Sequence, residues 1–145
     1  MLPLLLDLTT AQTGVLFALF AAPCADAGDY LLQTQRMQAK TTSWRWALFH
    51  GVVYTLPFLL LTLHPVALLV IGGTHALIDR LRLGARHCQT LGVGQTGTLE
   101  ERLGLPVVDE APLWLRIWLS IRADNAYHRL IEAGTLFAVW ISAAD

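Results

Sequence analysis

Apolar residues in this chain come in long blocks, and the polar residues that interrupt them fall at block ends with one recurring spacing. Four blocks, roughly 11–33, 44–63, 65–80 and 123–141, approach the ~20 residues that a helix needs to cross a bilayer. A more polar stretch, 81–122, separates the last two. Asp29 and Gln33 close the first block, His50 and Tyr54 open the second, His75 and Asp79 close the third, and Asp124 and His128 open the last. Residues i and i+4 of a helix share a face, about 6 Å apart along the axis. Each pair therefore points in one direction. The pattern predicts a single all-α domain over residues 1–145, a polytopic membrane protein with four transmembrane helices.

Local signals set the expected boundaries. Pro3 and Asp7 break the apolar stretch Met1–Leu8, which is expected at the interface, and Thr9 or Thr10 suits a helix cap. Lys and Arg are absent before Arg36, and Ala21-Ala22-Pro23-Cys24 fits a lipoprotein cleavage site poorly, so the first block is read as an uncleaved span kinked at Pro23. Residues 34–43 read as a loop, and Trp44 and Trp46 as a membrane boundary. His64-Pro65 is a turn that starts the third helix. Gly72-Gly73 offers either a smooth packing patch or simple helix softness. In the polar stretch, Thr98 to Glu101 resembles a capping box with Gly104 as a stop, which predicts a short surface helix. Gly92 to Gly97 lacks the Lys-Ser/Thr ending of a phosphate loop and reads as a flexible turn. Leu113 to Ile121, with Trp114 and Trp118, suits an interfacial helix or the first part of one long helix.

Composition supports the membrane expectation. Charged residues make up 14% of the chain and hydrophobic ones 54%, against roughly 25% charged in average soluble proteins. A net charge of −1 with no basic patch argues against nucleic-acid binding. Cys24 lies in an apolar block and Cys88 in the polar stretch, so no disulfide framework is implied, and His87-Cys88 has no matching pair to complete a zinc site. Basic residues gather between the first and second blocks and between the third and fourth. The positive-inside rule then places the chain in the inner membrane with both termini outside, and sets all four polar pairs near the cytoplasmic face.

Ionisable groups at such depth are costly unless they meet one another. His50, His75 and His128 with Asp29, Asp79 and Asp124 form a nitrogen and oxygen donor set suited to Zn²⁺, Mn²⁺ or Fe²⁺, as ligands or with one of them as a general base. One or two ions would fit. Gln33, Lys40, Tyr54 and Asn125 are the expected supporting or substrate groups. Lys40 and Arg80 would hold an anionic headgroup or serve only as topology markers. Asp7, Asp26 and His64 read as incidental and His87 as a solvated loop residue. The leading functional expectation is a metal-dependent hydrolase of a lipid or lipid-linked phosphate or ester. The alternative is a non-catalytic membrane module, a homo-oligomeric scaffold or a phage-encoded effector of a host membrane protein, in which the pairs merely hold helices together. A proton or ion conductor is third.

The motifs Gly28-Asp29-Tyr30-Leu31-Leu32-Gln33, Lys40, His50, Tyr54, Thr74 to Asp79 and Asp124 to His128, in this order, resemble an uncharacterised integral-membrane family of bacteria and phages (domain of unknown function 3307). The resemblance covers most of the chain apart from about 85–112 and implies a membrane topology rather than an activity. Two positions depart from that family's pattern: Ala25 stands where it has a histidine four residues before the first aspartate, and Asn125 where it has glutamine. A looser likeness is to predicted membrane-bound metal-dependent hydrolases, whose helices also carry histidine and aspartate.

Overall fold

The apolar blocks do become helices, but their ends fall elsewhere than the pattern predicts. The structure, a computed structural model, describes residues 10–91, 103–104 and 111–144, and these contain no strand. Helix α1, Thr10–Asp26, runs through Pro23 and widens into a π turn over Ala27–Leu31, where the Leu32 N–H reaches the Ala27 carbonyl at 3.0 Å. Residues 35–41, expected as loop, form a 3₁₀ segment, Gln35–Thr41. Helix α2 spans Trp44–Thr55 and tightens into a second 3₁₀ segment, Leu56–Leu60, at Pro57. Helix α3 is Pro65–Leu81, with proline in its first turn and the His64 ring accepting from the Ala67 N–H. Helix α4, Leu83–Leu91, replaces the first part of the expected polar loop. Helix α5 is continuous over Leu113–Ala144, so the Trp114/Trp118 segment is its first turns and not a separate surface helix. The Gly92–Gly97 turn, the capping box at Thr98 and the Met1–Leu8 stretch lie outside the described residues.

Glycine sets how closely the helices approach. A Cβ on Gly51 of α2 would stand 2.5 Å from the Gly72 carbonyl oxygen, and one on Gly72 of α3 would stand 2.9 Å from that of Gly51. The two backbones therefore touch there, while Gly73 faces open space. Gly84 of α4 is just as tight, with its Cβ position 2.6 Å from the Asp124 backbone nitrogen of α5. An apolar core of Cys24, Ala25, Tyr54, Phe58, Ile71 and Leu136 joins α1, α2, the segment after it, α3 and α5.

The four-span architecture is corrected by these elements. Among the described residues one helical stretch, Gln12–Leu31, is long and apolar enough to cross a membrane. Helix α2 with its 3₁₀ extension, Trp44–Leu60, and helix α3, Pro65–Leu81, are each 17 residues long, fewer than the ~20 that a crossing helix usually has. Helix α5 is long enough at 32 residues, but Arg116, Arg122, Asp124, Arg129 and Glu132 interrupt it. The multi-pass placement in the inner membrane, with both termini outside, rested on those four spans and falls with them. An apolar block reads alike in sequence whether its neighbour is lipid or protein.

Candidate metal centre

The polar residues of the π turn after α1, of α2, of the end of α3 and of the middle of α5 converge. Three of the four expected pairs share a helix face; the Asp29/Gln33 pair does not, because Gln33 lies past the π turn in non-helical chain. The π turn after α1 inserts an extra residue per turn and brings Asp29 round, while Gly28 lets that turn lie on Tyr54, where a Cβ would come within 2.6 Å of the ring. In α2 and α3 the spacing of four keeps His50 beside Tyr54 and His75 beside Asp79, all four buried. In α5 the same stripe runs Asp124, His128, Glu132 and Leu136.

Two donor groups result, and they share Asp79. Asp29, His50, His75 and Asp79 place one donor atom each within 4.8 Å of one another, and so do Asp79, Asp124 and His128. In the first group, His50 Nε2 lies 3.1 Å from Asp29 Oδ1, and His75 Nε2 lies 3.1 Å from Asp79 Oδ2 and 3.5 Å from Asp29 Oδ1. In the second, His128 Nε2 lies 3.3 Å from Asp124 Oδ2 and 3.8 Å from Asp79 Oδ1. Asp79 thus turns one oxygen to each group. The His75 and His128 Nε2 atoms are buried without a hydrogen bond of good geometry. Bare donors at this spacing fit a divalent cation: the cluster could hold a metal ion.

Lys40 is central, not peripheral. Its ammonium stands 2.8 Å from Asp79 Oδ2, 3.3 Å from Asp29 Oδ1 and 2.9 Å from His50 Nε2. His50 Nε2 lies between a cationic donor and a carboxylate acceptor, and one tautomer serves only one of them. Arg80, the other basic candidate, points away: it donates to the Thr41 carbonyl and stacks over Trp44. Arg82 ends α3 in the left-handed region at φ 53°, returning its N–H to Asp79 O and Ile78 O as the chain turns into α4.

The remaining candidates support the cluster or border it. The Tyr54 ring stacks on His75, centroids 3.5 Å apart, and its hydroxyl donates to Glu132. Glu132, 2% exposed, was not singled out from the sequence, although it continues the Asp124/His128 stripe by one more turn. Asn125 donates to the Tyr30 hydroxyl at 3.0 Å. Gln33, Lys40, Asp79, Arg82, Asp124 and Asn125 border a cleft of about 390 Å³ that opens the cluster to the outside. Ala25 is packed in the apolar core and contributes no ligand. Asp26 forms an exposed pair with Arg129. His87 lies on α4, not in a solvated loop, and its ring bonds the Tyr127 hydroxyl of α5, while Cys88 beside it is buried.

Burial and charge pull on these groups in opposite directions. Burial opposes ionisation of Asp79, but the imidazoles of His128 and His75 and the Lys40 charge outweigh it and hold the carboxyl well below its usual range. Burial likewise opposes a charged His128, yet Asp124 and Asp79 raise its pKa to about 9. His50 moves down through burial, and the neighbouring Lys40 charge adds to the shift. Burial pushes Glu132 up, and burial with the Glu132 charge pushes Tyr54 up.

Comparison with known protein families, with curated proteins and with solved structures finds no match for the chain.

Proposed function

We propose that this protein is a metal-dependent hydrolase acting on a lipid or lipid-linked phosphate or ester. The observation that carries the reading is the set of buried imidazole nitrogens without a hydrogen bond, clustered with carboxylates beside an open cleft. A divalent ion held there supplies Lewis-acid polarisation of a phosphoryl or acyl oxygen and a more acidic water. The chain's own groups do the rest. Asp29, His50, His75, Asp79, Asp124 and His128 bind the ion or take a proton, and the Tyr54 ring fixes the plane of His75. Lys40, Gln33 and Asn125 face the cleft and orient an anionic group within it. Zn²⁺, Mn²⁺ and Fe²⁺ suit the donors.

A bilayer is the proposed site of action. In support, large apolar side chains stand exposed over the outer surface, Leu31, Leu60, Leu63 and Leu69 among them at 73–86%. Patches of this kind mark interaction surfaces. Kinship with the uncharacterised bacterial and phage family is proposed on similar ground: Asp29, Lys40, His50, His75, Asp79, Asp124 and His128 of its motifs are the residues that meet.

The scaffold reading has one observation on its side, since Lys40 already pairs with two of the carboxylates. Metal analysis of the purified protein separates the two. The hydrolase reading expects a stoichiometric transition metal, lost in Asp79→Asn because both donor groups use that residue, together with loss of hydrolysis of a phospholipid or lipid phosphate in mixed micelles. A wild-type protein that takes up no metal from a Zn²⁺ or Mn²⁺ buffer sinks the hydrolase reading and leaves the scaffold.

A further inference from the structure

The two donor groups are not equivalent, because one of them already contains a cation. We propose that the protein holds a single divalent ion, on Asp79, Asp124 and His128, and that the Lys40 ammonium permanently takes the second cation position among Asp29, His50, His75 and Asp79. This inference rests on the metal reading above and assigns its geometry.

Three observations lead to it. The first is occupancy. Lys40 Nζ lies within 3.3 Å of three of the four donors in the first group, so an ion entering there must displace it. The second is charge. Asp29, Asp79 and Asp124 carry three negative charges, which one divalent ion and one ammonium balance. Two divalent ions beside Lys40 would leave a surplus of positive charge around His50 and His75, which are 0% and 1% exposed. Glu132 belongs to neither group and is bonded to Tyr54.

The third is preparation and access. The Gly84 N–H donates to Asp124 Oδ1 at 3.2 Å, which leaves Oδ2 directed at His128. Supporting bonds of this kind orient metal ligands. His128 Nε2 is buried and unbonded, facing Asp124 and Asp79. Both groups reach the cleft, but the Asp124 side chain is 26% exposed against 14% for Asp29, and Lys40 stands over the Asp29 side, so the second group is the one left with three protein donors and room for substrate, as a catalytic ion requires. Lys40 then stands one carboxylate away, bridged to the ion through Asp79, as a fixed positive charge for an anionic substrate oxygen.

Zn²⁺ loading of the full chain, followed by dialysis and ion counting, tests the assignment. The expected result is one ion per chain, retained by His50→Gln and lost by Asp124→Asn. Lys40→Met is expected to take up twice as much, because the first group is then free. Two ions in the wild type overturn the proposal. So does a single ion lost by His50→Gln and kept by Asp124→Asn. Should Lys40→Met fail to fold, the His50 and Asp124 pair decides alone, since neither removes the ammonium. These outcomes leave the metal reading standing, whereas a wild type without any ion removes both.

Discussion

Two ion pairs in this molecule have the same length and opposite settings. Lys40–Asp79 and Arg129–Asp26 both measure 2.8 Å. The first pair is 13% and 5% exposed, the second 38% and 52%. Separation alone would rank them equal. Around the exposed pair, water already solvates both charges and screens their attraction, so little is gained by contact. Around the buried pair, each charge has given up its hydration and depends on its partner. Asp26 and Asp29 lie within four residues of one another, yet the π turn between them sends one to solvent and the other to the cluster. Burial, not distance, decides which carboxylates matter here.

The largest test of that contrast is Lys40→Met in chelator-treated protein. It leaves Asp29 and Asp79 without their ammonium, and the expected loss is about 3–5 kcal/mol in urea unfolding, the usual cost of stranding one member of a buried pair. A loss below about 1 kcal/mol would put the buried pair in the same class as surface pairs. Next is Tyr54→Phe. It removes the donor to Glu132 Oε1, whose companion Oε2 is already unbonded. The expected cost is about 1–3 kcal/mol, read by the same measurement.

His128 supplies a pH signature that an exposed pair lacks. Its folded-state pKa of about 9 lies above the ordinary value of 6.5. The stabilisation is therefore fully present below about pH 6.5 and disappears as pH rises through about 9. Metal-free wild type should lose stability across that window relative to His128→Gln, and parallel curves would contradict the assignment. The smallest effect belongs to Asp26→Asn: a change of about 0–1 kcal/mol, shrinking further in added salt. A larger, salt-resistant loss would mean that the Asp26–Arg129 pair is shielded from solvent.

How much of this was legible in sequence follows from the range of each signal. The i,i+4 pairs were readable because helical periodicity is local, and Asp29, His50, His75, Asp79, Asp124 and His128 do face one another. The same periodicity extends to Glu132, one turn beyond His128 on the same stripe. Lys40 was legible as a basic residue near a helix end and not as the centre of the cluster, since that depends on which 3₁₀ turn folds over which helices. Gly84 gave no hint of holding Asp124, because the contact joins residues 40 positions apart.

The sequence by itself determined that the chain is helical and that its ionisable residues are paired along helix faces, since both depend on a period of a few residues. Only the tertiary structure decided that the helices come as close as Gly51 and Gly72 allow, and that three histidines share a site with a lysine. Hydrophobicity records how strongly a side chain avoids water. It does not say what replaces the water, and the neighbour that does so is set by contacts between distant parts of the chain.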